Sequence, residues 1–400
     1  MVDIHQEVDW TILIYANGNN DLEPEMRQAM LDVEKVGSNA HVHVVMQIGR
    51  AEYELVKLFR PDIDLKDQDC WSGVRRYYVH RGKSELVEDL KYVNMADPKQ
   101  FYHFIQWGML SYPAKKYMLI LGGHSYHCIG MLTDYSGETP YIMGIPEMVK
   151  ATNMASSKMG KKIDILLLDT CCSNSLELIY EFGKDENYAV QNVITYIANG
   201  PIEGLPYHSI IKIVQANSNI NDNTLLTKEI IENLSYHLIS FEIDHKKLRE
   251  IKQMFHEKTL EYLSKSAEDD QDYKQNSFIQ KNILQYISDN SPPLSIYYKR
   301  GRKDTCSLIT VTTSVAYHLK LMTHYYNLGF IQDNCWASLL NDQPADINRI
   351  FAMQKEERLI PLEMSPQEVY ESISIMNPDL DDAHIRNILE KLYCYKKWTL

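Results

Sequence analysis

From Lys161 to Glu177 the chain reads KKIDILLLDTCCSNSLE. Ile163 to Leu168 is short and almost wholly apolar, which marks a strand buried on both faces. Asp169, Thr170, Cys171 and Cys172 follow as a sharp turn, and Ser173 or Asn174 opens a helix. Upstream, Tyr117 to Leu121 (YMLIL) is a second apolar run, ending in Gly122, Gly123 and His124. Strands of this kind need helices over both faces of their sheet. The feature therefore restricts the chain to a layered α/β fold with a largely parallel sheet.

The remaining sequence fits that frame. Trp10 to Ala16 (WTILIYA) reads as a strand, and Asn17 to Asn20 as a turn cluster. Asp21 is placed as an N-cap before Leu22, Met26, Met30 and Val33 at helical spacing, and His41 to Ile48 is a second strand. This is a βαβ unit. Glu54 to Phe59 and Val74 to Val79 read as strands of a hairpin or sheet edge. Ile145 to Ala151 reads as a short helix, Thr152 to Lys162 (TNMASSKMGKK) as an exposed loop, and Val193 to Ala198 as another strand. Beyond Asn223 the texture becomes helical, with long helices expected at Leu225 to Phe241, Lys246 to Ser264 and Phe278 to Ile287. Strand-like runs stand at Leu294 to Tyr298 and Ser307 to Thr312, and helical pieces at Ser314 to Tyr326, Trp336 to Leu340, Pro366 to Met376 and Asp381 to Leu392. The expected division is 1–222 for a main domain, 223–350 for a mainly helical domain packed on it, and 351–400 for a small helical tail module.

A Cys and a His just past the carboxyl ends of buried strands suggest nucleophilic chemistry. A free thiol is mostly protonated at neutral pH and needs a neighbouring imidazole or a helix N-terminus to activate it. Cys171 has both in prospect. It follows His124 by 47 residues, near the roughly fifty-residue His-before-Cys spacing of caspases. Cys172 competes for the role, although adjacent side chains on an extended backbone face opposite ways. His127 and Cys128, with Cys171 and Cys172, offer an alternative zinc site without a CxxC pattern. Asp169 either lines the pocket and pairs with a basic side chain or caps the local turn. Glu203 is a second acidic candidate. Gly123 either admits substrate backbone closely or merely makes the turn.

A net charge of −13 argues against nonspecific nucleic-acid binding. No apolar run reaches the ~18 residues of a membrane span. The start of the chain shows no secretory leader. Seven scattered cysteines do not form a disulfide framework, so a cytoplasmic setting is expected.

Three blocks make the sequence resemble the clostripain family of cysteine peptidases (family C11, clan CD), which are caspase-like. They are WTILIYANGNNDLE (Trp10 to Glu23), ILGGH (Ile120 to His124), and Asp169-Thr170-Cys171 with Glu177 on the next helix. The resemblance spans about residues 8 to 340. It implies a caspase-like three-layer α/β/α sandwich with a mainly helical C-terminal domain. It further implies endopeptidase cleavage of proteins or peptides after Arg or Lys. By position it makes Cys171 the nucleophile, His124 the general acid–base and Asp169 a wall of the basic-specific S1 pocket. The backbone N–H groups of Ser125 and Cys171 would form the oxyanion hole, although Ser125 stands where the family usually has Gly. The family often matures by self-cleavage between His and Cys, which points to Lys150, Lys158, Lys161 and Lys162. No cofactor is required by this chemistry; the resemblance leaves calcium as an alternative, since some family members use it, although no calcium loop is visible. A regulatory ligand or partner would suit the unmatched tail. The rival readings are a catalytically inactive binding module and a zinc-dependent hydrolase.

Overall fold

The computed structural model describes residues 7–63, 71–266, 276–290, 295–298, 324–339, 359–377 and 379–394. The chain begins with strand β1 (Val8–Gly18), helix α1 (Glu23–Glu34), strand β2 (Val42–Arg50) and helix α2 (Tyr53–Phe59). A hairpin follows, β3 (Gly73–His80) and β4 (Lys83–Lys91), then α3 (Pro98–Ser111) and β5 (Ala114–Gly122). Three short strands come next: β6 (Ser125–Tyr126), β7 (Gly130–Asp134) and β8 (Tyr141–Gly144). Helix α4 (Ile145–Met159) leads to β9 (Ile163–Asp169), α5 (Leu176–Gly183), β10 (Val190–Tyr196), α6 (Tyr207–Ala216) and α7 (Asn223–Asn233). Then come β11 (Leu238–Glu242), α8 (His245–Ser266), α9 (Asn276–Asn290) and β12 (Ser295–Tyr298). Strand β13 (Leu362–Glu363) precedes two last helices, Pro366–Met376 and Asp382–Cys394.

The main sheet has nine strands in the order β12-β11-β10-β9-β5-β1-β2-β3-β4. Its centre, β10 to β2, is parallel, and the outer strands are antiparallel. Side chains alternate along β1. Trp10, Ile12, Ile14 and Ala16 enter one core with residues of α1, α6 and α7, while Leu13 and Tyr15 enter the other with residues of α3, α4, α5 and α8. This is the expected α/β/α sandwich. Strands β11 and β12 join the same sheet, so it continues past residue 222.

A second, four-stranded sheet, β13-β8-β7-β6, stands beside the main one. It shares a third core with the tail helices: Tyr126, Ile129, Tyr135 and Ile142 pack with Met364, Val369, Ile373, Ile385, Ile388 and Leu392.

Three local expectations are corrected. Residues 54–59 are helical: Val56 and Phe59, three apart, are the buried pair. The sheet edge is instead the β3–β4 hairpin. The stretch from Thr152 to Met159 is helix rather than loop. Met148, Thr152 and Ser156 follow at four-residue spacing on a buried face, and Gly160 at φ 62 caps the end. The helix expected from Leu225 to Phe241 stops at Asn233, and Leu238 to Phe241 go into the sheet. The run at Ser307 to Thr312 and most of the piece at Ser314 to Tyr326 lie outside the described residues.

Candidate active site

Strand β1 connects to β2 on one side, whereas β5, β9 and β10 are laid down on the other. The order therefore reverses between β1 and β5, and ligands of open α/β sheets bind at the carboxyl ends of strands at such a switch point. Three adjacent strands end there. Asp21 follows β1, His124 follows β5 and Cys171 follows β9. All three line one cavity of about 280 Å³.

His124 sits where the chain leaves the main sheet at Gly122 and enters the small one at Ser125. Gly123 makes that turn at φ 153 and lines the same cavity. The His124 imidazole Nε2 lies 2.9 Å from Asp21 Oδ1, and the aspartate side chain is only 2% exposed. Burial alone would push the Asp21 carboxyl up, but the charge and hydrogen bond of His124 outweigh it and hold it below the usual carboxylate range. Asp21 thus serves His124 rather than capping α1, whose N-cap position is Leu22. Residue spacing gave no sign of this contact, because 103 residues separate the partners. With Nε2–H given to Asp21, Nδ1 is the nitrogen left to exchange protons.

Burial pushes the Cys171 thiol above its ordinary range, and a backbone hydrogen bond from Gly200 pulls the other way. The Cys172 thiol is pushed up further, to about 11, by burial and by the neighbouring Cys171. Cys172 also lines the cavity, contrary to the opposite-face expectation. The reason is backbone geometry: Cys172 is left-handed at φ 53, so the alternation of an extended chain does not apply. Its sulfur points to Asn199 Oδ1 at 3.3 Å.

Ser125 ties the His124 turn to the Cys171 turn. Its hydroxyl donates to the Cys171 carbonyl oxygen, as does that of Ser173 at 3.0 Å. Leu132 N–H donates to His124 O at 2.6 Å, and Ser125 stands opposite Met131 in the β6–β7 ladder. Hydrogen-bonded and open pairs alternate in an antiparallel ladder, so Ser125 occupies an open position and its N–H is directed away from β7.

Asp169 is buried at the cavity wall. It accepts from Tyr196 OH at 2.6 Å, Tyr207 OH at 2.7 Å and Leu205 N–H at 3.0 Å. Burial nonetheless pushes its carboxyl above the ordinary value. Gly204 closes this cradle at φ 69, and a Cβ there would stand 2.6 Å from Asp169 Oδ2.

Other sequence candidates lie elsewhere. Glu203 is exposed and does not line the cavity. Lys150 and Lys158 belong to α4. Lys161 reaches Glu7 at 3.3 Å, and Lys162 lies over the Tyr188 ring at 3.8 Å. Lys158, Lys161 and Lys162 lie near the amino end of β9, roughly 20 Å of strand from Cys171, while Lys150 lies in the first half of α4. Among the described residues no three His, Cys, Asp or Glu side chains come together as metal ligands. His127 lines the cavity, but Cys128 packs against the main core, where burial pushes its thiol to about 12.

A thiol and an imidazole at the ends of neighbouring parallel strands, within an α/β/α sandwich, are the groups that cysteine-nucleophile hydrolysis needs. The clostripain family profile matches residues 15–303. The chain belongs to that family, C11, of cysteine proteases. Among solved structures, a secreted C11 cysteine protease from Bacteroides thetaiotaomicron has a TM-score of 0.52 at 12% identity, covering 82% of this chain and 99% of its own. An inactive zymogen C11 protease from Parabacteroides distasonis gives 0.52 at 13%, covering 82% and 98%. At these identities the likeness establishes the fold. No curated protein matches the chain. No helix among the described residues is long and apolar enough to cross a membrane.

Proposed function

We propose that this chain is an endopeptidase cutting after Arg or Lys. The observation carrying the proposal is that Cys171, His124 and the buried Asp169 line one cavity. Cys171 attacks the scissile carbonyl, and the N–H groups of Ser125 and Cys171 hold the oxyanion. His124 Nδ1 takes the thiol proton, gives it to the leaving amine, and then deprotonates the water that releases the acyl group. Asp21 fixes the orientation and tautomer of the imidazole. A basic P1 side chain entering the cavity compensates the buried Asp169 carboxylate, whose ionisation burial opposes.

Cys171 keeps the first claim to the nucleophile because the Gly200 backbone N–H favours its thiolate, while burial and the neighbouring Cys171 push the Cys172 thiol up to about 11. The Cys171–His124 chemistry as proposed requires no cofactor. Self-processing at Lys158, Lys161 or Lys162 would take a second molecule, since the strand separates them from their own site. The free thiols at Cys128, Cys171, Cys172 and Cys335 suit a reducing compartment such as the cytoplasm, although the Bacteroides protein is described as secreted.

The test is hydrolysis of Arg, Lys and Asp P1 reporters under reducing conditions, with Cys171→Ala and His124→Ala alongside. The expected result is cleavage after Arg and Lys that falls by roughly 10³-fold or more in either variant. Cleavage after Asp, or activity that survives in Cys171→Ala, overturns the assignment.

A further inference from the structure

The cavity has a wall from a part of the chain that the catalytic motifs do not reach. Ile375 and Asn377, at the end of the Pro366–Met376 helix, line it with His124 and Cys171. This helix is built to stay in place. Ser365 and Glu368 form a capping box at its start. Strand β13 pairs with β8, and Met364 N–H donates to Pro140 O at 2.9 Å. Tyr126, two residues after His124, donates its hydroxyl to Glu371 at 2.9 Å. The helix is thus fastened to the strand that begins beside the catalytic imidazole.

Ile375 takes no part in the buried core of this module: it is 47% exposed. On the β10–α6 loop Ile202 is 50% exposed and lines the same cavity. Two exposed isoleucines from separate elements therefore border one catalytic cavity. Folding gains little from leaving them open to water, whereas covering their exposed apolar surface favours binding.

We propose that Ile375 and Ile202 form an apolar subsite for a substrate residue next to the basic P1 residue, so that residues 359–394 determine specificity. The inference rests on the endopeptidase reading. A fixed apolar wall discriminates substrates by the side chain it covers, and one such contact separates substrates by roughly 10–200-fold.

The experiment uses the full chain as wild type, Ile375→Glu, Ile202→Glu and Ile375→Val. Peptides carry an Arg P1 and either Leu, Glu or Lys at each flanking position in turn. Both kcat/KM and the binding of the same peptides to Cys171→Ala backgrounds, by fluorescence anisotropy, are read. The expected result is about a tenfold loss for Leu peptides at one flanking position in both Glu variants, carried in KM. Lys should be gained at that position, Ile375→Val should keep the wild-type profile, and Tm should be unchanged. An unchanged profile in Ile375→Glu overturns the subsite. So does a uniform loss at all positions with a lowered Tm, which would mark a packing role. A wild type with no Cys171-dependent cleavage overturns the endopeptidase reading. The anisotropy profile would then still report on the subsite, and a flat profile would remove that as well.

Discussion

Strand β9 carries an aspartate near each end, and the two are nearly equal by ordinary measures. Asp164 is 8% exposed and Asp169 is 7% exposed. Burial pushes both carboxyls above the ordinary value. Asp164 accepts from Tyr117 N–H at 3.0 Å and from Asn223 Nδ2 at 3.2 Å, and it feels the Lys116 charge. Asp169 accepts from two tyrosine hydroxyls and one backbone N–H, and it lines the cavity. Burial and a raised pKa do not by themselves mark a functional carboxylate. What separates the pair is position: one stands at the amino edge of the sheet, the other at the carboxyl end beside the switch point.

The strongest way to break this comparison is to neutralise each aspartate. Asp169→Asn is expected to lower kcat/KM on Arg and Lys reporters by about 10²–10³-fold, since an unpaired buried charge costs roughly 2–5 kcal/mol. Asp164→Asn is expected to leave the Arg-to-Asp preference within about twofold of wild type and to show only in the melting temperature. Equal effects on P1 preference would sink the functional distinction.

A smaller effect extends the comparison to the end of β1. Asp21→Asn keeps the shape beside His124 but loses the carboxylate that accepts from its Nε2–H and holds the ring in place. We expect kcat to fall by about 10²-fold with KM nearly unchanged. A rise in KM alone would assign Asp21 to substrate binding instead.

Glycines give the next step down. Gly204→Ala places a Cβ 2.6 Å from Asp169 Oδ2 at a φ of 69. Gly160→Ala, at the amino end of β9, has the similar φ of 62 but nothing within 4 Å. Each should cost about 1 kcal/mol for the left-handed backbone, and Gly204→Ala about 1–3 kcal/mol more for the clash. Chemical denaturation of both variants measures the difference, and only Gly204→Ala should also impair Arg and Lys turnover.

The smallest expected effect concerns the thiol. Burial disfavours the charged form of Cys171, so its folded pKa is raised and its thiolate fraction at pH 7 lies below that of a free cysteine. Iodoacetamide labelling, followed by peptide mass, should be a few-fold slower at Cys171 in the folded protein than in the denatured chain. It should also keep rising past pH 9. A plateau below pH 7 would mean a resting thiolate–imidazolium pair.

Much of the fold was legible because it follows from local patterns. Two-sided apolar runs at Ile163 to Leu168 and Tyr117 to Leu121 could only be interior parallel strands, and the turns after them placed Cys171 and His124. Where the sequence misled, the patterns were locally ambiguous. The stretch from Thr152 to Met159 is rich in small and polar residues, yet packing against the sheet keeps it helical. Leu238 to Phe241 continue an apolar periodicity but are captured by the edge of β10.

The layered α/β fold and the two strand ends bearing Cys171 and His124 follow from local patterns, because each is encoded in fewer than twenty consecutive residues. What surrounds that pair comes from long-range packing. Asp21 meets His124 across 103 residues, Ser125 fastens the Cys171 turn, and Tyr196 and Tyr207 cradle Asp169. Ile375 arrives from the far end of the chain. These contacts carry no local periodicity. They come from strand order and from the pairing of β13 with β8, which are settled by how buried faces are covered rather than by any one stretch of sequence.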